Sequence, residues 1–336
     1  MRNDNTMHAI ARFGAAALIL AFFSLASGIG ILMAGQNRIE TLISQNFGKT
    51  SDDIFGVSQS SPEHSPYFPN SSPAFCISSG KSEQHLYILD AMNGRVKKFT
   101  LAGNFVSQIP VENKEMKVET LCGISIDDSS DSTGIMIYSK KKIYFPDRAG
   151  RILKMFDIPE NIDFSCVVRH FAGGALVYDA SEYVLLETAF AGDKAAFSAV
   201  AEKITSPWLA GDGSLYSCRL SDFRTLLILK ASANKKSASS EFYRFMAPEG
   251  ERVSAPRIIG TDELSNVYVR RYLNLSEVFS VLAPSGKLLR EFSLEPSMAG
   301  NRTNMYRDEF VDLKGNIYVA FDEKNRFVIK KIFNEN

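Results

Sequence analysis

The chain has 336 residues, of which 45% are hydrophobic and 23% charged, a composition typical of a globular protein with ample apolar material for a core. Its 38 lysine and arginine residues are balanced by 38 aspartate and glutamate residues. The composition therefore argues against intrinsic disorder, and the absence of a basic surplus argues against nucleic acid as a partner.

The first predicted element is an uncharged apolar run at residues 13–35. A helix of this length, rising about 1.5 Å per residue, can cross the hydrocarbon core of a bilayer. Arg2 and Arg12 precede the run, which favours an N terminus inside and a body outside. We therefore predict a cytoplasmic stub and a transmembrane or signal-anchor helix over residues 1–35.

The competing interpretation is a cleaved signal peptide, with Ser24-Leu25-Ala26 as its cleavage site. We favour a retained anchor because the apolar run continues beyond Ala26. Both interpretations place the body on the extracytoplasmic side, periplasmic or extracellular. A retained helix would anchor it to the membrane, and cleavage would release it as a secreted protein.

Residues 36–73 are predicted to form a stalk and a linker. The apolar residues Ile39, Leu42 and Ile43 have helical spacing, so residues 36–46 are expected to continue the membrane helix. The remainder is rich in serine and proline, which excludes one regular element throughout.

A pattern of short strands repeats through residues 74–336. Its clearest unit, residues 85–110, contains three short apolar runs separated by the turns Asn93-Gly94 and Gly103-Asn104. An apolar residue followed by tyrosine recurs about every 46 residues, a period typical of propeller blades. The six tyrosines are Tyr87, Tyr138, Tyr178, Tyr216, Tyr268 and Tyr318.

A turn glycine recurs between the last two runs of several units. These glycines are Gly103, Gly150, Gly192 and Gly286, and Asn234 takes their place in the fourth unit. Glycine and asparagine tolerate the positive φ that tight hairpins require. We interpret the glycines as structural, and likewise the tyrosines, whose rings are expected to pack between blades while their hydroxyls reach a polar edge.

Six such units predict an all-β fold, a six-bladed β-propeller preceded by the N-terminal helix. Each blade is a small four-stranded sheet that cannot bury both faces alone, so the blades must stack in a ring. The first blade is expected to start at Ala74. The others are expected at residues 121–158, 166–200, 207–245, 257–294 and 309–333.

The sixth unit is too short for a complete blade, since the chain ends at Asn336. A closed ring leaves no exposed sheet edge. We therefore expect a segment from before Phe75 to supply the outer strand of the last blade. The apolar run within residues 53–58 is the best candidate for that strand.

The first unit resembles a known repeat family. Asp90, the turn at Asn93-Gly94-Arg95, Phe99 and the hairpin at Gly103-Asn104-Phe105 follow the pattern of an NHL repeat. The match is close over residues 85–110 and loose in the other units. This resemblance implies the propeller architecture and says little about activity.

Three cysteines lie at a shared place in the repeat. Cys76, Cys122 and Cys166 fall in the inner strands of successive blades, about one period apart, and His170 lies on the third of these strands. If they line the central channel, they suggest a soft metal or a redox pair. We favour the alternative that small, easily buried side chains suit the crowded axis.

No cofactor, metal ligand or catalytic residue is assigned from the sequence. The four histidines are scattered and form no pair at zinc-ligand spacing. We predict a ligand-binding, protein-binding or scaffolding module rather than an enzyme, with its protein or small-ligand partner at one mouth of the propeller, where loops from every blade collect.

The alternative function is a metal-dependent hydrolase or lyase resembling the lactonase and amidating-lyase propellers. Such an enzyme would require a divalent metal on the axis, held by Asp, Glu, Asn or His from several blades. No matching motif is visible in the sequence, so none of those families' ligands is transferred to this chain.

Overall fold

The computed structural model describes residues 37–46, 73–78, 83–90, 93–111, 121–127, 134–147, 149–162, 164–171, 173–191, 194–232, 239–294, 301–302, 308–323 and 326–334. Residues Arg38–Asn336 form one compact unit. In the described part of the chain no helix is long and apolar enough to cross a membrane, and the predicted membrane helix at residues 13–35 lies outside it.

The compact unit consists of six antiparallel sheets in chain order. The first sheet contains β2 (Ala74–Ile77), β3 (His85–Asp90), β4 (Arg95–Thr100) and β5 (Phe105–Pro110). The second contains β6 (Leu121–Asp127), β7 (Gly134–Ser139), β8 (Lys142–Pro146) and β9 (Ile152–Asp157). The third contains β10 (Phe164–Phe171), β11 (Gly174–Asp179), β12 (Val184–Ala191) and β13 (Lys194–Ala201).

The second half continues this order. The fourth sheet contains β14 (Thr205–Leu209), β15 (Ser214–Leu220), β16 (Thr225–Ser232) and β17 (Ser240–Met246). The fifth contains β18 (Val253–Thr261), β19 (Val267–Leu273), β20 (Ser276–Leu282) and β21 (Leu288–Ser293). The sixth contains β22 (Asn301–Arg302), β23 (Glu309–Val311), β24 (Ile317–Glu323), β25 (Arg326–Ile332) and the N-terminal strand β1 (Ile39–Asn46).

The innermost strands of successive sheets contact one another in a closed circle, β2 with β6, β6 with β10, and so on through β14, β18 and β23 back to β2. This arrangement confirms the predicted all-β, six-bladed propeller. Each sheet buries its two faces against neighbouring blades, so the apolar cores lie between blades.

Strand β1 completes the sixth blade by pairing antiparallel with β25. The outer strand of the last blade therefore comes from before Phe75, but from Ile39–Asn46 and not from residues 53–58, which lie outside the described residues. This strand also corrects the helix that we expected at residues 36–46.

The helix-like spacing in β1 has a different cause. The register shifts between Thr41 and Ile43, so that Leu42 is an extra residue in the strand. As a result Ile39 packs into the core between the fifth and sixth blades, whereas Leu42 and Ile43 pack into the core shared with the first blade. One irregular strand thereby buries apolar residues on both faces of its sheet.

Candidate functional site

A cavity of about 280 Å³ lies at the centre of the ring. Residues from all six inner strands surround it, mostly from the C-terminal halves of those strands and from the turns that follow them. The lining consists of Cys76, Ile77, Ser78, Gln84, Ile124, Ser125, Ile126, Val168, Arg169, His170, Trp208, Leu209, Gly211, Thr261, Phe310, Val311 and Leu313.

Most of the cavity wall is apolar. Isoleucine, valine and leucine side chains from five blades are combined with Phe310 and with Trp208, the single tryptophan of the chain. The Trp208 indole Nε1 donates to Thr261 Oγ1 on the next inner strand at 3.3 Å. This bond helps to fix one edge of the indole, so the cavity has a rigid aromatic side.

Arg169 supplies the positive charge of the cavity. Its Nη1 donates to the backbone carbonyl of Ala210 at 3.3 Å, which holds the half-buried guanidinium against the fourth blade. Among the described residues Arg169 forms no ion pair, and no aspartate or glutamate lines the cavity. The local electrostatics of the described lining therefore favour an anion.

His170 follows Arg169 on β10 and is only 8% exposed. Burial lowers the pKa of His170, although the carboxylate of Asp127 and the nearby Gly134 backbone oppose the shift. The imidazole is thus neutral near pH 7. Its Nδ1 atom is buried out of reach of solvent and has no hydrogen-bond partner in the described part of the chain.

The structure brings together only part of the predicted cysteine set. Cys76 lines the cavity with His170, whereas Cys166 is not among the lining residues and packs in the core near Val168 and Leu176. One register shift in β10, between Val167 and Arg169, separates the orientation of Cys166 from that of His170. Cys122 lies in β6, but the structure does not describe its side chain.

The repeated tyrosines lie away from the cavity, with their rings buried between blades. Three of the hydroxyls have identified acceptors. Tyr178 donates to the Ile204 carbonyl at 3.0 Å, Tyr268 to Asp262 at 3.0 Å and Tyr318 to Asp312 at 2.9 Å. Of the predicted turn glycines, Gly103, Gly150 and Gly286 have φ of 82°, 83° and 83°, and Gly192 is outside the described residues.

A second polar cluster lies nearer the N-terminal ends of the fifth and sixth inner strands. Arg257 contacts Asp308 and Glu309 at 3.1 Å each, and Arg270 contacts Glu309 at 2.8 Å and Glu277 at 3.3 Å. Burial opposes the charged guanidinium, but the carboxylates of Glu309, Asp308 and Glu277 raise the pKa of Arg270. This cluster joins two blades through charges that are removed from water.

Sequence reasoning missed this cluster and the roles of Arg169 and Trp208. A signal for the cluster was present, since Arg270 and Arg271 interrupt an otherwise apolar strand, β19. A charged pair inside a buried strand indicates buried partners. Arg169 gave no comparable signal, because its position depends on the register shifts in β10.

In the described ranges no group of three or more His, Cys, Asp or Glu residues could hold a metal ion. The lining offers one imidazole and one thiol without a carboxylate, a set that does not match the axial ligands of the metal-dependent alternative. The described lining of this partly open cavity combines apolar side chains with one cation, Arg169, and one neutral imidazole, His170.

The fold and this site define the class of protein, a six-bladed propeller with a small central cavity. The sequence matches no protein-family model and no curated protein. Two solved structures are similar to this chain in fold. One is a DUF4221 family member from Bacteroides vulgatus, with a TM-score of 0.53 and 10% identity, covering 88% of this chain and 98% of that one.

The other solved structure is a Bacteroides fragilis protein inferred to be exported, with a TM-score of 0.53 and 11% identity, covering 90% of this chain and 98% of its own. At such identities the similarity shows the fold alone. The comparisons support a propeller but do not show the NHL family, so that resemblance stays a prediction.

Proposed function

We propose that this protein is a binding module whose ligand occupies the central cavity. The observation that carries the proposal is the cavity lining, in which Arg169, His170 and Trp208 join apolar side chains in a partly open cavity built by all six blades. Pockets lined mainly by apolar side chains, with a few placed polar groups, are the usual form of small-molecule sites.

The size of the cavity indicates a small ligand and not a protein segment. At about 30 Å³ for each water molecule, 280 Å³ has room for about nine waters, or for an organic molecule of about a dozen non-hydrogen atoms. No observation favours the metal-dependent hydrolase or lyase.

We also propose that the module is exported and tethered to the membrane by residues 13–35. The uncharged run and the arginines before it support this location, and the similar Bacteroides fragilis protein is itself inferred to be exported. Protease added to intact producing cells, and to cells whose outer membrane has been permeabilised, would degrade the propeller in at least one of the two if it is outside the cytoplasm. The N-terminal sequence of the mature protein would distinguish an anchor from a cleaved signal.

Binding can be tested through Trp208, because the emission of the single tryptophan reports on the cavity wall. The full-length protein in detergent would be titrated with small organic acids, neutral alcohols and amines. Ser125 lines the cavity, so Ser125→Phe should fill it, whereas Ser240→Phe on the exposed outer strand β17 is the matched control.

We expect at least one compound to change the emission of the wild-type protein and of the Ser240 variant, but not of the Ser125 variant. Thermal unfolding of both variants would show that they remain folded. If no compound of any charge class binds, or if Ser125→Phe binds as well as the wild type, the cavity is not the binding site.

A further inference from the structure

We propose that the outer strand of the third blade, β13, pairs with β13 of a second copy of this chain and forms a dimer with two-fold symmetry. The inference concerns the outer edge of the ring and does not depend on the cavity. It is carried by the composition of the six outer strands, by the direction of the free backbone groups of β13 and by the order of its side chains.

Strand β13 is an open sheet edge without the usual protection. In the described part of the chain it pairs with β12 on one side and with no strand on the other. Open edges are commonly blunted by charged side chains or by proline. Strands β9, β17 and β21 each carry an acidic and a basic residue, β1 carries Glu40, and the shorter β5 ends in Pro110. In β13 only the first of the eight residues, Lys194, is charged.

The free backbone groups of β13 point away from β12 at alternate residues. Ala195 lies opposite Phe190, whose amide donates to the Gly173 carbonyl at 2.9 Å on the far side of β12. The backbone groups of Phe190 are therefore not shared with Ala195. Because the pattern alternates along antiparallel strands, the N–H and C=O groups of Ala195, Phe197 and Ala199 face the open edge. They are available for a second ladder.

A two-fold axis at Ser198 makes the strand complementary to itself. Antiparallel pairing about this axis places Phe197 of each copy opposite Ala199 of the other, so a large side chain meets a small one and the facing backbone groups can bond. The same register places Lys194 of each copy near Glu202 of the other. Both side chains are exposed, and neither forms an ion pair within the described ranges. The dimer thereby gains two symmetric ion pairs.

Val200 limits the length of the new ladder. The register of β13 against β12 shifts between Ala199 and Ala201, so Val200 is an extra residue in the strand. The regular stretch before it still contains Phe197 and Ala199, the two hydrogen-bonding positions of the proposed pairing. Since this pairing occupies the open edge of β13 in both copies, association through it stops at two.

The first test measures the mass of the full-length protein in a mild detergent by analytical ultracentrifugation. We expect the wild type to be a dimer that dissociates on dilution. Ser198→Lys places two like charges across the axis and should weaken dimerisation by more than about tenfold. Ser107→Lys, an exposed position on the outer strand β5, is the matched control and should dimerise like the wild type.

A charge exchange keeps this test independent of folding. Ser198→Glu should be monomeric for the same reason as Ser198→Lys, but an equal mixture of the two variants should form a dimer, because opposite charges then face each other across the axis. Recovery of the dimer in the mixture requires both variants to be folded with intact edges. Two stably folded variants that stay monomeric when mixed would overturn the pairing at Ser198.

A disulfide tests the register. Facing residues on the axis that share no hydrogen bond have Cα atoms about 4.5 Å apart, a separation that a disulfide can span. Ser198→Cys should therefore cross-link two chains on mild oxidation. Ala196→Cys, also exposed on β13, should not, because its two copies would lie four positions apart, about 14 Å along the strand.

The opposite results are equally clear. A wild type that is monomeric at every concentration would overturn the proposal, and so would a dimer that Ser198→Lys leaves intact, since another segment would then hold it together. Assembly beyond two copies would contradict the closed pairing. Equal cross-linking of Ala196→Cys and Ser198→Cys would contradict the register. None of these outcomes depends on whether the cavity binds a ligand.

Discussion

Ile43, in the strand nearest the N terminus, lies directly opposite Ile329 in the last strand of the chain. Both side chains are buried in the core between the sixth and first blades. The pairing joins the two ends of the compact unit, because without β1 the strand β25 would be an unpaired edge. The stability of the whole ring should therefore depend on a short segment that is distant along the chain from the other strands of the blade it completes.

Replacing Ile43 with alanine should destabilise the protein by about 2–5 kcal/mol, the range for an aliphatic side chain removed from a packed core. Ile43 is 4% exposed, so water cannot readily fill the cavity that the substitution would leave. The measurement is the free energy of unfolding in urea. Thr41→Ala, an exposed position on the same strand, should change it by less than about 0.5 kcal/mol. Equal effects of the two substitutions would mean that β1 does not hold the ring closed.

Much of this architecture could be predicted because its signals are local. An apolar residue followed by tyrosine marks each second strand, and Gly103, Gly150 and Gly286 mark hairpins with positive φ. The closing strand could not be placed in the same way. In β1 a register shift lets Ile39 and Ile43 serve opposite faces, and the resulting spacing imitates a helix.

The ion cluster between the fifth and sixth blades provides a second test. Glu309 is completely buried and contacts both Arg257 and Arg270. Glu309→Gln should cost about 3–5 kcal/mol of unfolding free energy, since it leaves buried guanidinium groups with less compensating charge. Glu241→Gln breaks an exposed ion pair with Arg244 and should have no measurable effect. Similar urea midpoints for both variants would contradict the account of this cluster.

The turn before β24 depends on a tyrosine hydroxyl. Asp312 accepts hydrogen bonds from the Asn316 side chain at 2.8 Å and from Tyr318 at 2.9 Å. Burial and the Asp312 carboxylate raise the pKa of Tyr318, so the hydroxyl remains a donor. Tyr318→Phe should destabilise the protein by about 1.5–3 kcal/mol in urea unfolding. Tyr183→Phe, at an exposed turn, is the control, and an unchanged stability of Tyr318→Phe would exclude a structural role for the hydroxyl.

Cys218 should be chemically inert in the folded protein. Its thiol is buried in the core between the fourth and fifth blades, and burial raises its pKa to about 12, although Arg257 and Arg270 oppose that shift. In a variant with serine at the other three cysteine positions, a disulfide reagent at pH 8 should not label Cys218 until urea unfolds the chain. Rapid labelling without denaturant would show that this core opens.

The lowered pKa of His170 predicts a dependence of stability on pH. As pH falls through about 6.5, the unfolded chain binds a proton at this residue before the folded protein does, so the folded state loses relative stability. Arg169 and Asp127 are the charged residues beside this imidazole on the described strands. The stability difference between the wild type and His170→Asn should therefore shrink from pH 7.5 to pH 5.5. Parallel pH profiles would contradict the burial of a neutral imidazole.

The candidate site was less predictable than the fold. Inner strands were expected to line the axis, and Cys76 and His170 do line the cavity. The meeting of Arg169 with Trp208 depends on contacts between blades and on the irregular register of β10, neither of which has a periodic signature. The partners of Glu309 are similarly distant, since Arg257 lies 52 positions away in the chain.

The most direct test of the central claim is a crystal structure of the full-length protein grown with a small organic compound that changes Trp208 emission. We predict density for the compound inside the ring, in contact with Arg169 and Trp208. Density for the compound only elsewhere on the protein, with water alone in a cavity of unchanged shape, would contradict the account.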